Sequence, residues 1–318
     1  NVTGAGGNVQ ATVRDDSGAL VGTTKTLHLN AYGHQAFMLT DHFAATGQKR
    51  GTIEFTPPAG GQIAPLAFRA STAGILSTIP SMIQPSATPD TMTTMGAMAH
   101  LATAGGWQTA VVLVNLGVTA AQARLSFFDD SGASLSLPLC FPQTPSASSV
   151  TAAELQQRIA PGAALVVQTC ATGEIAIGSW AQLQSDGSVT GFARFNWTAG
   201  TGVQEAVVPL ESRNPSSFVL WYDNAGGFGT GMALANVTGS GGNVLVTVRA
   251  DSGAVVGTET LPLSAYGHTA FMLTDHCAAT GQGRGTVEFQ TPAGGQIAAL
   301  AFRASTAGIL STIPATVK

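Results

Sequence analysis

The sequence predicts an all-β protein made of tandem β-sandwich units. The strongest observation is an internal repeat, because residues 1–80 recur at 236–314 with one single-residue gap and about four in five positions identical. Within each copy, apolar residues alternate with polar ones, as at Val9, Ala11 and Val13. Turn residues interrupt these segments roughly every 8 to 12 residues, which is the spacing of strands in a sandwich.

A fainter repeat predicts a third unit between the two copies. GGWQTAVVLVNLG (105–117) aligns without gaps with GGFGTGMALANVT (226–238), and the same offset brings DDSGA (129–133) onto ADSGA (250–254). The chain therefore divides into three related units and a linker. They are unit 1 (1–80), a linker (81–98), unit 2 (99–205, with an inserted loop at 138–160) and unit 3 (206–318).

Turn chemistry and one helical pattern refine this division. Each unit contains Asp-Ser-Gly, which places glycine where a hairpin needs a positive φ. SVTAAELQQRIAPG (149–162) has Thr151 and Glu154 at capping-box spacing and ends at Pro161-Gly162. This pattern predicts one short helix in the inserted loop, whereas the Pro-, Ser-, Thr- and Met-rich linker predicts a semi-extended spacer.

Unit 1 is predicted to lack its first strand or strands. It has no counterpart of FVLWYDNAGGFGTGMALA (218–235), a segment that reads as one or two strands. A sandwich without them has an open sheet edge, which favours pairing with another chain. Three interpretations stay open: the chain is a window from a longer tandem array, a neighbouring molecule supplies the strand, or the chain is a trimmed fragment.

Composition excludes several classes of function. Only 9% of the residues are charged and the formal net charge is -4, so no basic surface is expected for nucleic acid or an anionic membrane. No apolar run is long enough to span a bilayer, and any export signal is expected to have been removed. The chain contains neither G-x-S-x-G nor H-E-x-x-H, and its acids lie mostly in turns, so we expect no enzyme and no cofactor.

The combined pattern resembles a known kind of repeat. GGW/F-x-T-x-x-x-L-x-N, D-S-G, P/Y-G-x-x-x-F and G-x-V-x-F before A-x-A-F-R are similar to the tandem immunoglobulin-like or fibronectin III-like repeats of large secreted proteins of environmental bacteria. The resemblance implies immunoglobulin-like sandwiches and an extracellular or cell-surface location. Its motifs are turn and core positions, so it transfers no functional residue.

Histidines and acids recur in the two near-identical copies and are weak candidates for metal ligands. Two histidines and one aspartate would make three ligands if they converged. A structural histidine that bonds a neighbouring loop is the favoured alternative. The candidates are His34, Asp41 and His42 in unit 1, and His268, Asp275 and His276 in unit 3.

Cysteines and sequons give further candidate sites. Cys140 and Cys170 bound the inserted loop, and a disulfide between them would stabilise by about 3 kcal/mol, although buried thiols are the alternative. Cys277 replaces Phe43 of the sister copy and is expected to be a core substitution. Asn1, Asn196 and Asn236 begin Asn-x-Ser/Thr sequons and are candidate glycosylation sites in a cell that glycosylates asparagine.

The tryptophans separate two hypotheses about function. Trp107 and Trp180 align with Phe228 and Val287 and are predicted to be buried, while Trp197 and Trp221-Tyr222 are predicted to join units 2 and 3. We therefore expect a structural subunit of an extracellular fibre, stalk or surface assembly that polymerises with itself, with a donated strand completing unit 1. Exposed aromatics would instead favour a carbohydrate-binding or adhesive module of a larger secreted protein.

Overall fold

The computed structural model describes residues 1–71, 74–84, 89–199, 202–305 and 309–318, and it is all-β. Its strands form antiparallel sheets. Its two α-helices, Leu39–His42 (α1) and Leu273–His276 (α2), have four residues each, and short 3-10 turns follow them at Ala44–Thr46 and Ala278–Thr280. The all-β prediction is confirmed.

Unit 1 contains two small, separate sheets. Strands β1, β2 and β3 pair in the order β2-β1-β3, and β4 pairs only with β5. Their bounds are β1 (Gly7–Asp15), β2 (Lys25–Leu29), β3 (Gly51–Thr56), β4 (Ala67–Ala70) and β5 (Leu76–Ile79).

Unit 2 is a sandwich of two larger sheets. Their orders are β11-β8-β13-β6 and β10-β9-β12-β7-β14-β15. The bounds are β6 (Thr93–Thr103), β7 (Trp107–Asn115), β8 (Ala121–Phe128), β9 (Leu137–Cys140), β10 (Val150–Ala152), β11 (Glu154–Ile159), β12 (Ala164–Thr169), β13 (Ile177–Ser185), β14 (Val189–Ala199) and β15 (Gly202–Pro209).

Unit 3 repeats the arrangement of unit 2. Its sheets are β19-β18-β21-β16-β24 and β20-β17-β22-β23. Apart from β9 and β10 in unit 2 and β24 in unit 3, equivalent strands follow the same order. The bounds are β16 (Ser217–Asp223), β17 (Phe228–Asn236), β18 (Gly242–Ala250), β19 (Val255–Leu263), β20 (His268–Met272), β21 (Arg284–Gln290), β22 (Ile297–Ser305), β23 (Leu310–Ile313) and β24 (Thr316–Val317).

The helix predicted over 149–162 is wrong, because this segment forms β10 and β11. Strand β11 pairs with β8 along its whole length, from Glu154 opposite Ser126 to Ile159 opposite Ala121. Leu155 and Ile159 are buried, and their spacing of four residues fits one face of a strand as well as one face of a helix. Pairing with the edge of β8 decides between the two, because it satisfies the backbone and buries the same side chains.

The strand bounds also change the limits of unit 2. Strand β6 begins at Thr93, within the predicted linker, and β15 continues to Pro209, past the predicted boundary at 205. Unit 2 therefore spans 93–209, and the linker shortens to 81–92. Residues 85–88 of the linker lie outside the described residues.

The apolar cores show that units 2 and 3 pack as one body. The core of unit 2, which includes Trp180 and Phe195, continues into unit 3 through Ala298, Leu300 and Phe302. A second core fills the space between the two sheets of unit 3. Unit 1 has a much smaller core built around Ala11, Val13, Val21, Leu27 and Phe43.

Candidate assembly surfaces

Unit 1 exposes an apolar face that is covered in unit 3. Leu66 and Phe68 are 62% and 59% exposed, whereas their counterparts Leu300 and Phe302 are 1% and 9% exposed. The sequences around these positions are nearly identical, so the difference does not come from the residues themselves. It comes from what packs against them.

Unit 2 covers Leu300 and Phe302, because both side chains belong to its core. A second difference is strand β17. In unit 3 it pairs with β22 from Phe228 opposite Ser305 to Asn236 opposite Ile297, and it pairs with β20 on its other side. The described residues of unit 1 contain no equivalent of β16 or β17. Residues 34–38, which match β20, consequently form no strand, and β4 has one partner.

Unit 1 is attached to unit 2 through a buried carboxylate. Glu205 of β15 is 4% exposed and accepts hydrogen bonds from the Arg69 guanidinium at 2.5 Å and from the Ser77 hydroxyl. Arg194 lies 3.3 Å from the same carboxylate, and burial lowers the pKa of its guanidinium although Glu205 opposes that shift. The β4-β5 hairpin is therefore held to unit 2 by charge-assisted hydrogen bonds.

Units 2 and 3 meet at a chain of polar side chains. Asp130 Oδ1 lies 2.7 Å from His268 Nδ1, and His268 Nε2 lies 3.1 Å from His100 Nδ1. Because an ionised carboxylate only accepts, His268 donates to Asp130 and accepts from His100. Burial, together with a smaller effect of nearby His268, lowers the pKa of His100 to about 3, although Asp130 opposes the shift. His100 is therefore neutral in the folded protein.

Aromatic rings pack beside this polar chain. Trp180 is fully buried, stacks on Phe128 at 4.7 Å and donates its indole N–H to the Tyr266 carbonyl at 2.7 Å. Phe128 also stacks on the Tyr266 ring at 5.3 Å. Trp180 thus joins units 2 and 3.

The residues predicted to join units 2 and 3 lie elsewhere. Trp197 stacks on Trp107 at 5.7 Å within unit 2, and Trp107 is only partly buried. Tyr222 is buried in the core of unit 3, and Trp221, which faces the opposite side of β16, is 43% exposed. The prediction was wrong because it relied on the alignment of the units. Trp180 aligns with Val287, a residue inside unit 3, but the alignment does not show that unit 3 covers Trp180.

The six metal-ligand candidates do not converge. His34, Asp41 and Asp275 are exposed, and His42 packs on the Phe37 ring. His276 binds the Glu259 carboxylate at 2.8 Å and His268 binds Asp130. The described part of the chain contains no group of three such residues that could hold a metal ion. His268 matches the alternative interpretation, a histidine that bonds a neighbouring loop.

Two of the three sequon asparagines stabilise turns. The buried Asn236 amide donates to Ser240 O and Ser264 O, both at 2.8 Å, and its oxygen accepts from Thr238. Asn1 makes the equivalent bonds to Ala5, Asn30 and Thr3. A glycan on Asn236 would require this turn to open, since both amide hydrogens are already bonded.

The sequence repeat could have indicated that these asparagines stabilise turns. Asn115, which aligns with Asn236 but is not in a sequon, bonds Thr119 O, Ile159 O and Gly117 N in the same way. The third candidate, Asn196, lies in β14 with neighbouring strands on both sides, opposite Gln108 and Glu205.

The cysteines are arranged as follows. Cys140, at the end of β9, forms a disulfide with Cys170, which follows β12. Cys277 is free and half-buried against the core of unit 3, where Phe43 occupies the equivalent place in unit 1.

A hollow of about 240 Å³ at one end of unit 3 is lined by Asn, Thr, Ser and apolar residues, among them Asn236, Thr238 and Ser240. None of its lining side chains titrates near neutral pH. Neither helix in the described part of the chain is long and apolar enough to cross a membrane.

Comparison with known proteins adds no relative. No protein-family model matches the chain, and no curated protein is significantly similar to it. The fold and its junctions define a tandem all-β repeat protein, and functional arguments depend on its surfaces.

Proposed function

We propose that the protein is a non-enzymatic structural subunit of an extracellular fibre, stalk or surface assembly, and that it polymerises through contacts between its units. The observation that carries the proposal is the uncovered face of unit 1. A side chain such as Phe68 exposes apolar surface at a cost of roughly 25 cal/mol per Å², so covering this face favours association.

Strands like β16 and β17 of unit 3 would complete the sheets of unit 1, where β4 has one partner. Strands β16 and β17 place Phe218, Leu220, Met232 and Leu234 in the core, and β17 gives β22 a paired edge. Because unit 1 is about four-fifths identical to the matching part of unit 3, strands of this pattern supplied by a neighbouring unit would complete it. The disulfide is in keeping with an oxidising, extracellular location.

Electron microscopy of the purified protein tests this proposal. We expect filaments whose axial repeat corresponds to one chain of three units. A peptide with the sequence of residues 217–236 should compete for the open edge of β4 and shorten the filaments, whereas a scrambled peptide should not. Dispersed single chains at every concentration, with the 217–236 peptide unbound, would refute the proposal.

A carbohydrate-binding or adhesive role is the second candidate, and exposed Trp221 favours it. An indole on an outer sheet face is suited to stacking on a sugar ring. Glycan-array binding that is lost in Trp221→Ala and kept in Trp107→Phe would support this role. If no glycan on the array were bound, the carbohydrate-binding role would be rejected.

A further inference from the structure

The two junctions between units use the same backbone hydrogen bond. At the first, Ala164 N donates to Asp16 O at 3.0 Å, and at the second, His268 N donates to Asp130 O at 3.1 Å. Asp16 and Asp130 occupy the same position, directly before Ser-Gly in their turns. Ala164 and His268 begin the equivalent strands β12 and β20, so one contact is built twice.

The glycine of each Asp-Ser-Gly turn is part of this contact. Gly18 and Gly132 have φ values of 86° and 87°. A Cβ atom on Gly18 would approach Pro161 O within 2.5 Å, and one on Gly132 would overlap Ala265 O. Pro161 and Ala265 are themselves equivalent, each three residues before the strand residue that donates. The turn of one unit therefore fits closely against the turn of the next.

Both junctions also bring equivalent strands together, although through different hydrogen bonds. Ser77 of β5 bonds Glu205 of β15 at the first junction. At the second, Val207 N of β15 donates to Thr312 Oγ1 of β23 at 3.0 Å. Because β5, β15 and β23 are equivalent strands, both junctions relate successive units in a similar way.

Two equivalent turns, one in unit 3 and one in unit 1, make no such contact within the described part of the chain. Gly253 in the Asp-Ser-Gly turn of unit 3 has a φ of 83°, and among the described residues no other atom lies within 4 Å of the position that a Cβ would take. Tyr32, in the receiving turn of unit 1, has the same φ as Tyr266, 53° against 54°, but is 74% exposed. His34 is exposed where His268 is 3% exposed, and its N–H has no acceptor within the described part of the chain.

We propose that the Asp251–Gly253 turn of one copy docks on the Ala31–His34 turn of a second copy, head to tail. His34 N then donates to Asp251 O, and the Asp251 carboxylate accepts from His34 Nδ1, as Asp130 does from His268. The two surfaces lie on different units and differ from each other, so the contact is heterologous and leaves one of each free at the two ends of a dimer. Further copies add there, and the assembly grows as a filament when the rotation between copies does not close a ring. This inference rests on the proposed function and names the surfaces that assembly uses.

Engineered disulfides test the contact. In a Cys277→Ser background, Asp251→Cys and His34→Cys chains are mixed and oxidised. We expect the mixed dimer to exceed either homodimer by roughly tenfold, because docking raises the local thiol concentration. Asp130→Cys with His268→Cys, the same pair within one chain, is the matched control for geometry and should close an intramolecular bridge.

A glycine variant adds a readout that does not depend on thiols. Gly253→Ala has open space within its own chain, so unit 3 should stay folded. Its methyl group would overlap Ala31 O of the second copy, as a methyl on Gly132 would overlap Ala265 O, and cross-linking should fall by roughly tenfold.

The outcomes separate this inference from the proposed function. Filaments without an excess of the mixed dimer, while the control pair closes, would overturn the docking surface and leave the structural role standing. An excess of the mixed dimer that Gly253→Ala abolishes would support the docking surface even if no filaments formed, and the fibre proposal would then fail alone.

Discussion

At the scale of single residues, the repeated units show that burial decides what a side chain does. His34 and His268 share the motif Ala-Tyr-Gly-His, yet His268 lies in a junction and His34 faces solvent. His100 contacts His268 and is enclosed by the rings of Phe195 and Phe302. An enclosed imidazole is held neutral, and this couples the junction to pH.

His100 should make stability fall in mild acid. Its folded pKa of about 3 lies below the ordinary histidine value of 6.5, so the unfolded chain takes up a proton that the folded chain excludes. The contribution is complete above pH 6.5 and decreases as pH falls toward 3, by about 1–2 kcal/mol at pH 5. Urea unfolding at pH 7 and pH 5 measures it.

The pH effect has a specific control. His100→Gln keeps an N–H donor toward His268 but does not titrate, so the loss between pH 7 and pH 5 should shrink. His28→Gln, at an exposed position, should leave it unchanged. An equal pH dependence in the wild type and His100→Gln would contradict this assignment.

Asn236 should matter for folding through its hydrogen bonds. Asn236→Ala removes bonds to Ser240, Ser264 and Thr238 in a buried turn, and we expect a loss of about 2–3 kcal/mol. Chemical denaturation measures this, with exposed Asn243→Ala as a control that should change stability by under about 0.5 kcal/mol. A loss no larger than that of the control would mean that water replaces these bonds.

At the scale of elements, pairing partners decide which segments become strands. Residues 34–38 and β20 have nearly the same sequence, but only β20 has β17 beside it. Conversely, the sequence of β11 has a helical pattern, but this segment forms a strand because it pairs with the edge of β8. Neither outcome depends on local propensity, which tertiary pairing overrides.

The β4-β5 hairpin should depend on Glu205. Glu205→Gln keeps the side-chain shape but removes the charge that faces Arg69 and Arg194, so we expect a loss of about 2–3 kcal/mol, because a buried pair is broken. Hydrogen exchange of the backbone amides of Arg69 and Ser77 should become faster in this variant. Glu211→Gln, whose partner Arg213 is 56% exposed, is the control and should cost under about 1 kcal/mol. Unchanged exchange in Glu205→Gln would show that apolar packing alone holds the hairpin.

These cases show what the sequence could and could not predict. Alternation, Asp-Ser-Gly turns and the repeat predicted the all-β fold, since these signals are local or lie in self-alignment. The place of Trp180 and the contact of His268 with Asp130 depend on how units pack. The periodicity of apolar residues in the sequence does not indicate how the units pack against each other. Asn115, which aligns with Asn236 but is not in a sequon, could have indicated that these asparagines stabilise turns. The sequons at Asn1 and Asn236 suggested glycosylation instead.

At the scale of the whole molecule, the junctions are as specific as the cores. Unit 3 covers part of the unit 2 core, so the two should unfold together. The fit of Gly132 against Ala265 leaves no room for a side chain. Changes at this single turn should therefore act on both units.

Gly132→Ala should uncouple units 2 and 3. The methyl group would overlap Ala265 O, and we expect a loss about 1–3 kcal/mol greater than that of Gly253→Ala, which has a similar φ but open space. Urea unfolding followed by tryptophan fluorescence should report it, because Trp180 lies at the junction. Equal losses in the two variants would mean that positive φ alone, rather than the junction, sets the cost.

The disulfide in unit 2 has a mechanical consequence. Cys140 and Cys170 are separated by 30 residues, and the bond keeps those residues from extending when the chain is pulled from its ends. An extended residue spans about 3.3–3.6 Å, so an oxidised unit 2 lengthens by about 100 Å less than a reduced one. Oxidation would thus set how far each subunit stretches under load.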